Sequence, residues 1–366
     1  MKTYTRILAA LSAMPWAILP EKLQEIAAFL EMKATGGGPG EAQLATLRAE
    51  QQVRAARVQN ASASAKGAVA VIPIYGTIVQ RATLMSEYSG GCSTEQLTAQ
   101  FRQARNDPNV RAIVFDVDSP GGTISGVPEL ADEIYAARKT KKVIAVSNSL
   151  MASAAYWIAC SCSEVVVSPS SLTGSIGVYI LHEDISKRLD EEGIRMTFVK
   201  HGENKTEGNS YQPLTPAALE HLQEMVDSPG AMFDKAVARG RGVSLAEVTG
   251  KFGQGRVFPA QQAVTLGLAD RVATLDDVLG QYGVTRNSGA AARAALGVEA
   301  PLASADGGPE GDAEDGDCTC PCEPCQSNDD CDDCDHVNCN CEGCDCPSAI
   351  GIQQAAQRRK ALLAGL

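Results

Sequence analysis

The pattern of apolar and polar positions changes period along this chain. Up to about residue 64 the spacing is helical. Lys2 and Arg6 precede the apolar stretch Ile7–Leu19, an arrangement that mimics a secretory leader. Pro15 interrupts that stretch and no small-x-small cleavage site follows it. The segment Pro20-Glu-Lys-Leu-Gln-Glu-Ile-Ala-Ala-Phe-Leu-Glu31 then sets Leu23, Ile26, Ala27 and Leu30 on one face, so residues 1–33 are predicted as a helical arm rather than a leader. Ala34-Thr-Gly-Gly-Gly-Pro-Gly40 reads as a linker, and a polar helical stretch continues to Ser64.

From Ala68 short apolar runs alternate with amphipathic ones, the signature of strand–helix units around a largely parallel sheet. Strands are predicted at Val69–Tyr75, Val110–Val117, Val143–Val146, Val165–Val167 and Met196–Val199. Ser93 with Gln96 makes a capping box that opens one helix, and Pro128–Arg138 forms the next. Thr215 followed by Pro216 opens a helix over Pro216–Val226, and Pro259–Leu266 is the last clear helix. The fold class is therefore α/β.

Past Asn287 the residues are mostly Ala, Gly and acidic, a composition that buries too little apolar surface to join a core. Three regions follow: an arm and linker over 1–67, a body over 68–287, and an acidic, cysteine-rich appendage over 288–366 with a short basic amphipathic end at Ile350–Leu366. The formal charge of −12 is local, because residues 306–346 hold fourteen Asp and Glu with no Lys or Arg, leaving about +2 for the rest. No broad basic face points to nucleic acid, and no apolar run reaches the roughly 18 residues of a membrane span. Of thirteen cysteines only Cys92, Cys160 and Cys162 lie in the body. That asymmetry argues against a disulfide framework and for a body suited to the cytoplasm.

Two stretches carry candidate chemistry. Asp118-Ser-Pro-Gly-Gly122 follows a buried strand, and its paired glycines let a backbone N–H turn outward as an oxyanion site requires; alone it is equally an ordinary strand-to-helix turn. Ser149-Leu-Met-Ala-Ser-Ala-Ala-Tyr-Trp-Ile-Ala159 places Ser153 among small residues at the start of an apolar helix, where a nucleophile gains the helix dipole and room for substrate. A serine packed in an alanine-rich helix has the same look.

Together with Thr173-Gly-Ser-Ile-Gly-Val178, Gly255-Arg-Val-Phe258 and Gly267-Leu-Ala-Asp270, these stretches occur in an order that resembles the signal peptide peptidase A family of serine peptidases. The likeness is firm over about 68–280. Met14-Pro-Trp-Ala-Ile-Leu-Pro20 extends it toward the phage-encoded head maturation proteases. The resemblance implies a ClpP/crotonase-like fold of repeated ββα units and a Ser-Lys dyad. Ser153 is then the nucleophile, Lys205 of His201-Gly-Glu-Asn-Lys-Thr206 the general base, Ser175 the hydroxyl that orients the amine, and the amides of Gly122 and Ala154 the oxyanion hole. Ala154-Ala155 stands where the bacterial signal-peptide enzymes usually have Gly-Gly, which narrows the pocket and keeps the amide. A base lysine must be neutral, so Lys205 is expected in a mostly desolvated cleft. The resemblance further implies ring or dome-like homo-oligomers, protein substrates of the capsid or scaffold kind, catalysis without a cofactor, and a place in the host cytoplasm or within a procapsid. Ser-His-Asp chemistry stays open through His182 or His201, the other histidines lying in an amphipathic helix (His221) and in the acidic appendage (His336). Degradation of signal peptides, a crotonase-like acyl-CoA activity and a non-catalytic assembly role also stay open.

Cys318, Cys320, Cys322, Cys325, Cys331, Cys334, Cys339, Cys341, Cys344 and Cys346 form CxC and CxxC pairs around His336, a spacing that suits structural Zn²⁺ in up to two four-ligand sites. A low-complexity tail with incidental thiols fits the same residues.

Overall fold

Apolar alternation becomes a seven-stranded sheet in the computed structural model, which describes residues 15–34, 37, 68–81 and 91–284. In chain order the elements are β1 (Trp16–Ile18), α1 (Pro20–Ala34), β2 (Ala68–Tyr75), β3 (Ile78–Val79), β4 (Cys92–Ser93), α2 (Thr94–Asn106), β5 (Val110–Ser119), β6 (Gly121–Thr123), α3 (Val127–Ala137), β7 (Lys142–Ala152) and α4 (Ala154–Cys160). They continue with β8 (Glu164–Val167), β9 (Leu172–Gly174), α5 (Ser186–Glu191), α6 (Pro216–Arg241), α7 (Leu245–Lys251), β10 (Val257–Pro259), α8 (Ala260–Leu266), β11 (Arg271–Val272) and α9 (Leu275–Gly280). The large sheet is parallel across β2, β5 and β7, and only β10 runs antiparallel, against β9. The far edge of β7 pairs first with β8 and then, from Leu150, with β9. A second sheet takes the order β1-β6-β3-β4. The α/β architecture expected of the sequence is thus present.

Strand alternation sorts the core onto two faces. Ile72, Ile74, Ile113, Phe115 and Val117 pack beneath α2, α3 and α4, while Val69, Val71, Val114, Ile144 and Val146 face α9 through Leu275, Val278 and Leu279. The buried Asp116 carboxylate accepts from Tyr75 and Asn148, tying β5 to both neighbouring strands. At the far end of the body Arg241 donates to Asp270, 2.7 Å away, whose other oxygen accepts the Val165 N–H. Burial alone would raise the Asp270 carboxyl, but those two donors hold it below its ordinary range.

Several boundaries differ from expectation for identifiable reasons. Residues 1–33 were expected to be helical throughout, yet Trp16–Ile18 is a strand; Pro15 and Pro20 bracket it, and a residue before proline is pushed to extended geometry. Helix α1 follows with Leu23 and Ala27 buried as its periodicity requires. Met196–Val199 is not a strand: it pairs with no strand among the described residues, Val199 is fully exposed and Met196 is 45 % exposed. Helix α6 runs through Pro229 to Arg241 instead of ending at Val226. An internal proline costs about 3 kcal/mol, but the extra turns bury Phe233, Ala236 and Val237 and stack Phe233 on Trp157 with ring centroids 4.5 Å apart. Gly240 lies where a Cβ would stand 2.0 Å from the Cys160 carbonyl oxygen, so only glycine lets α6 approach α4 this closely. Trp157→Ala should lower unfolding stability by roughly 3–5 kcal/mol, read from urea denaturation; an unchanged midpoint would show that the stack carries little of the fold. The appendage over 288–366, with its ten cysteines, lies outside the described residues.

Candidate active site

β7 ends at Ala152 and α4 begins at Ala154, so Ser153 alone makes the turn between them. Its backbone takes φ 56 and ψ −119, a region L-residues avoid and one that costs about 1–3 kcal/mol to hold. The turn is over-determined from both sides. The Ser153 N–H donates to Gly174 O at 2.8 Å, and its own carbonyl accepts the Trp157 N–H at 2.9 Å. Ser153 is 1 % exposed, and its Oγ is buried with no hydrogen-bond partner among the described residues. A strained turn that presents an unsatisfied hydroxyl destabilises the fold twice over, which is the mark of a reactive group rather than of packing.

The β7–β9 ladder brings Ser175 beside this turn, since Ala152 pairs with Gly174 in register. Ser175 is itself at φ 54 and buried, held through its N–H to Arg256 O at 2.7 Å. The glycine turn closes the other side. Ser119 Oγ donates to Gly76 O at 2.6 Å and accepts the Gly121 N–H at 3.2 Å. A Cβ on Gly121 would lie 2.9 Å from Ser153 Cβ and 3.0 Å from Ala154 N, and one on Gly122 would lie 1.8 Å from Ile78 O. Both glycines are therefore required sterically, and the first abuts the serine.

Of the five residues expected at the site, Ser153, Ser175, Gly122 and Ala154 are gathered here. Lys205 is not. It lies in the irregular stretch after His201, is exposed, and does not reach the Ser153 hydroxyl within this chain. The desolvated cleft expected around it is absent among the described residues of a single chain: Lys205 is exposed in a segment, 194–209, that forms no strand or helix. Neither histidine candidate bonds the Ser153 hydroxyl either: His201 is exposed, and His182 Nε2 is buried without a partner among the described residues. The body cysteines are not activated as competing nucleophiles: burial pushes the thiols of Cys92 and Cys160 up to about 12 and that of Cys162 higher. No group of three metal-ligating side chains occurs among the described residues.

Sequence reasoning missed one neighbour of the serine. Trp16, Ala17 and Ile18 pair antiparallel with Thr123, Gly122 and Gly121, and the Ala17 carbonyl oxygen lies 2.2 Å from the point where a Gly121 Cβ would stand. The bracketing prolines and the Trp-Ala-Ile run were the available signal for a short strand; its partner was not readable.

Comparison with known proteins matches residues 135–286, which include Ser153, Ser175 and Lys205, to the model of Peptidase family S49. The chain is 34 % identical over 220 residues to the head-tail preconnector protein GP5 of Enterobacteria phage P21, covering 60 % of this chain and 44 % of that protein. It is 31 % identical over 256 residues to the capsid assembly protease C of Escherichia phage lambda, covering 70 % and 54 %. Protease 4 of Salmonella typhi is 30 % identical over 214 residues, 58 % of this chain and 34 % of that one. The chain thus spans about half the length of the two phage relatives. Among solved structures a ClpP1 mutant from Listeria monocytogenes overlays with a TM-score of 0.36 at 15 % identity, covering 57 % of this chain and 94 % of that one.

Proposed function

We propose that this chain, whose residues 135–286 carry the Peptidase family S49 pattern, is a serine endopeptidase in which Ser153 is acylated and Lys205 of a neighbouring subunit acts as the base. The observation that carries the reading is the strained, buried and unpartnered Ser153 hydroxyl set between the glycine turn and Ser175. Ser153 Oγ attacks the scissile carbonyl carbon and its proton passes to the neutral amine. The tetrahedral oxyanion takes hydrogen bonds from backbone N–H groups. Gly121 N–H is committed to Ser119, which leaves the amide of Gly122 as that turn's donor, opposite the amide of Ala154. Collapse breaks the C–N bond, the leaving amine takes the proton from the lysine, and water then releases the acyl group from Ser153 by the same exchange. Ser175 orients the amine.

An exposed amine is a poor base partner in water because hydration favours its charged form. Exclusion of water by a second copy resolves this, and the surface around the lysine stretch is suited to it. Leu181, Ile194, Met196 and Val199 are all exposed apolar side chains there. Homo-oligomers are the assembly proposed.

The substrate proposed is a capsid or scaffold protein, on the likeness to the head-tail preconnector protein of phage P21 and the capsid assembly protease of phage lambda. Co-expression with the neighbouring capsid genes, followed by mass spectrometry of the products, tests it. Cleaved capsid or scaffold chains that stay intact beside the Ser153→Ala protein are expected. Uncut chains beside an active enzyme would move the substrate elsewhere. No helix among the described residues is long and apolar enough to cross a membrane. The chemistry proposed uses no residue past Lys205 and no metal, so deleting residues 288–366 should leave cleavage of a small peptide within about twofold. Loss of that cleavage would make the appendage, and any zinc its cysteines hold, part of the enzyme.

A further inference from the structure

A strand laid beside a nucleophilic serine occupies the place an extended peptide needs in order to be cut. In this chain the arm fills that place. The Trp16 N–H donates to Tyr179 O at 2.9 Å and the Tyr179 N–H to Trp16 O at 3.0 Å, while Ala17, turned the other way by the pleat, faces Gly122. The Leu19 N–H completes the run on Pro120 O at 3.0 Å. Residues 16–18 therefore form the middle strand of a three-strand arrangement, between β6 on one side and Tyr179 on the other, and the Ala17 carbonyl oxygen and the Ser153 Cβ lie 2.2 and 2.9 Å from the same point, where a Gly121 Cβ would stand. Ala17 is fully buried, and Trp16 and Ile18 nearly so.

Among the described residues, three hydroxyls on residues that flank this strand, those of Ser153 and of Thr123 and Tyr179 opposite Trp16, are buried without hydrogen-bond partners. Buried polar groups are nearly always satisfied, so three orphans on one track indicate a channel built for a different, more polar occupant. Much of the arm's apolar packing is with itself. Trp16, Ile18, Leu23 and Ala27 form a small apolar cluster of their own with Ile26, Leu30 and Tyr179, and only Ala17 belongs to the main core. The chain between arm and body, residues 35–67, starts with the Gly-rich run to Gly40.

We propose that Trp16-Ala17-Ile18 is an internal occupant of the substrate channel, and that cleavage requires the arm to leave so that an extended segment, with a small residue between bulky apolar ones, takes its place. The inference rests on Ser153 being the reactive serine. It also names the substrate class: chains that offer an unpaired strand able to bond β6 and Tyr179 on both edges, as partly assembled or unfolded proteins do.

The test compares the full chain with two variants: deletion of residues 1–19, and Ala17→Pro, which removes the N–H donor facing β6 and leaves the body untouched. Both should label at Ser153 with a fluorophosphonate, and cleave a Trp-Ala-Ile-centred peptide, at least tenfold faster than the full chain. The free peptide Pro-Trp-Ala-Ile-Leu should slow labelling of the shortened protein. A Trp16→Cys, Tyr179→Cys pair covers the case in which the shortened chain fails to fold, since opposed residues of this kind meet disulfide geometry. Oxidation should stop labelling and reductant restore it, with the wild type unaffected by either. Equal labelling of full-length, shortened and oxidised proteins would overturn the occupancy while leaving Ser153 as nucleophile. Absence of labelling in every folded variant would overturn the nucleophile itself.

Discussion

Replacing Ser153 by alanine should reduce peptide cleavage by at least about 10³-fold, the scale on which nucleophile losses fall, and should not lower the melting temperature. The second half of the expectation separates this site from ordinary packing. Removing a well-bonded buried hydroxyl costs stability, whereas the Ser153 Oγ has no partner to lose and Ala fits the same small-residue turn. The φ of 56 is borne equally by Ala, so its strain is unchanged. Activity on a peptide together with thermal denaturation checks both halves. Retained cleavage by the folded variant would remove Ser153 from the chemistry, and a large drop in melting temperature would assign the hydroxyl a structural bond.

Lys205→Arg should be comparably inactive, by about 10²–10⁴-fold, because a guanidinium keeps its proton at working pH and cannot accept the serine's. Because Lys205 does not reach Ser153 within one chain, the two variants should complement each other. Equimolar Ser153→Ala and Lys205→Arg chains, unfolded and reassembled together, place an intact serine beside an intact lysine at about a quarter of the sites by random pairing. Recovery near that fraction is expected. No recovery from a properly assembled mixture would contradict a dyad shared between subunits. Wild-type-like cleavage by Lys205→Arg together with a dead His182→Ala or His201→Ala variant would give the base to histidine.

Much of the body was legible because its strands are buried on both faces. Val110–Val117, apolar but for Arg111 and Asp116, and Val165–Val167 reappear as β5 and β8 within a few residues. The strands that mattered most at the site were harder. β7 continues six residues beyond Val146, with Ser147 paired to Val117 and Val167 and Leu150–Ala152 paired to β9, and this extension delivers Ser153 to its turn. Met196–Val199 shows the converse, strand-like alternation that pairs with no strand among the described residues. The candidate residues Ser153, Ser175, Gly122 and Ala154 came from motif order and stand together because β7, β9 and the glycine turn converge. What sequence pattern could not show was burial and pairing across long separations: the exposure of Lys205, and the pairing of residue 17 with residue 122.

The most direct test of the central claim is covalent. Wild-type protein treated with a fluorophosphonate and digested for mass spectrometry should carry one adduct, on Ser153, and the adduct should vanish in Lys205→Arg. A folded, assembled protein with no adduct, or one labelled at another serine, would contradict the account.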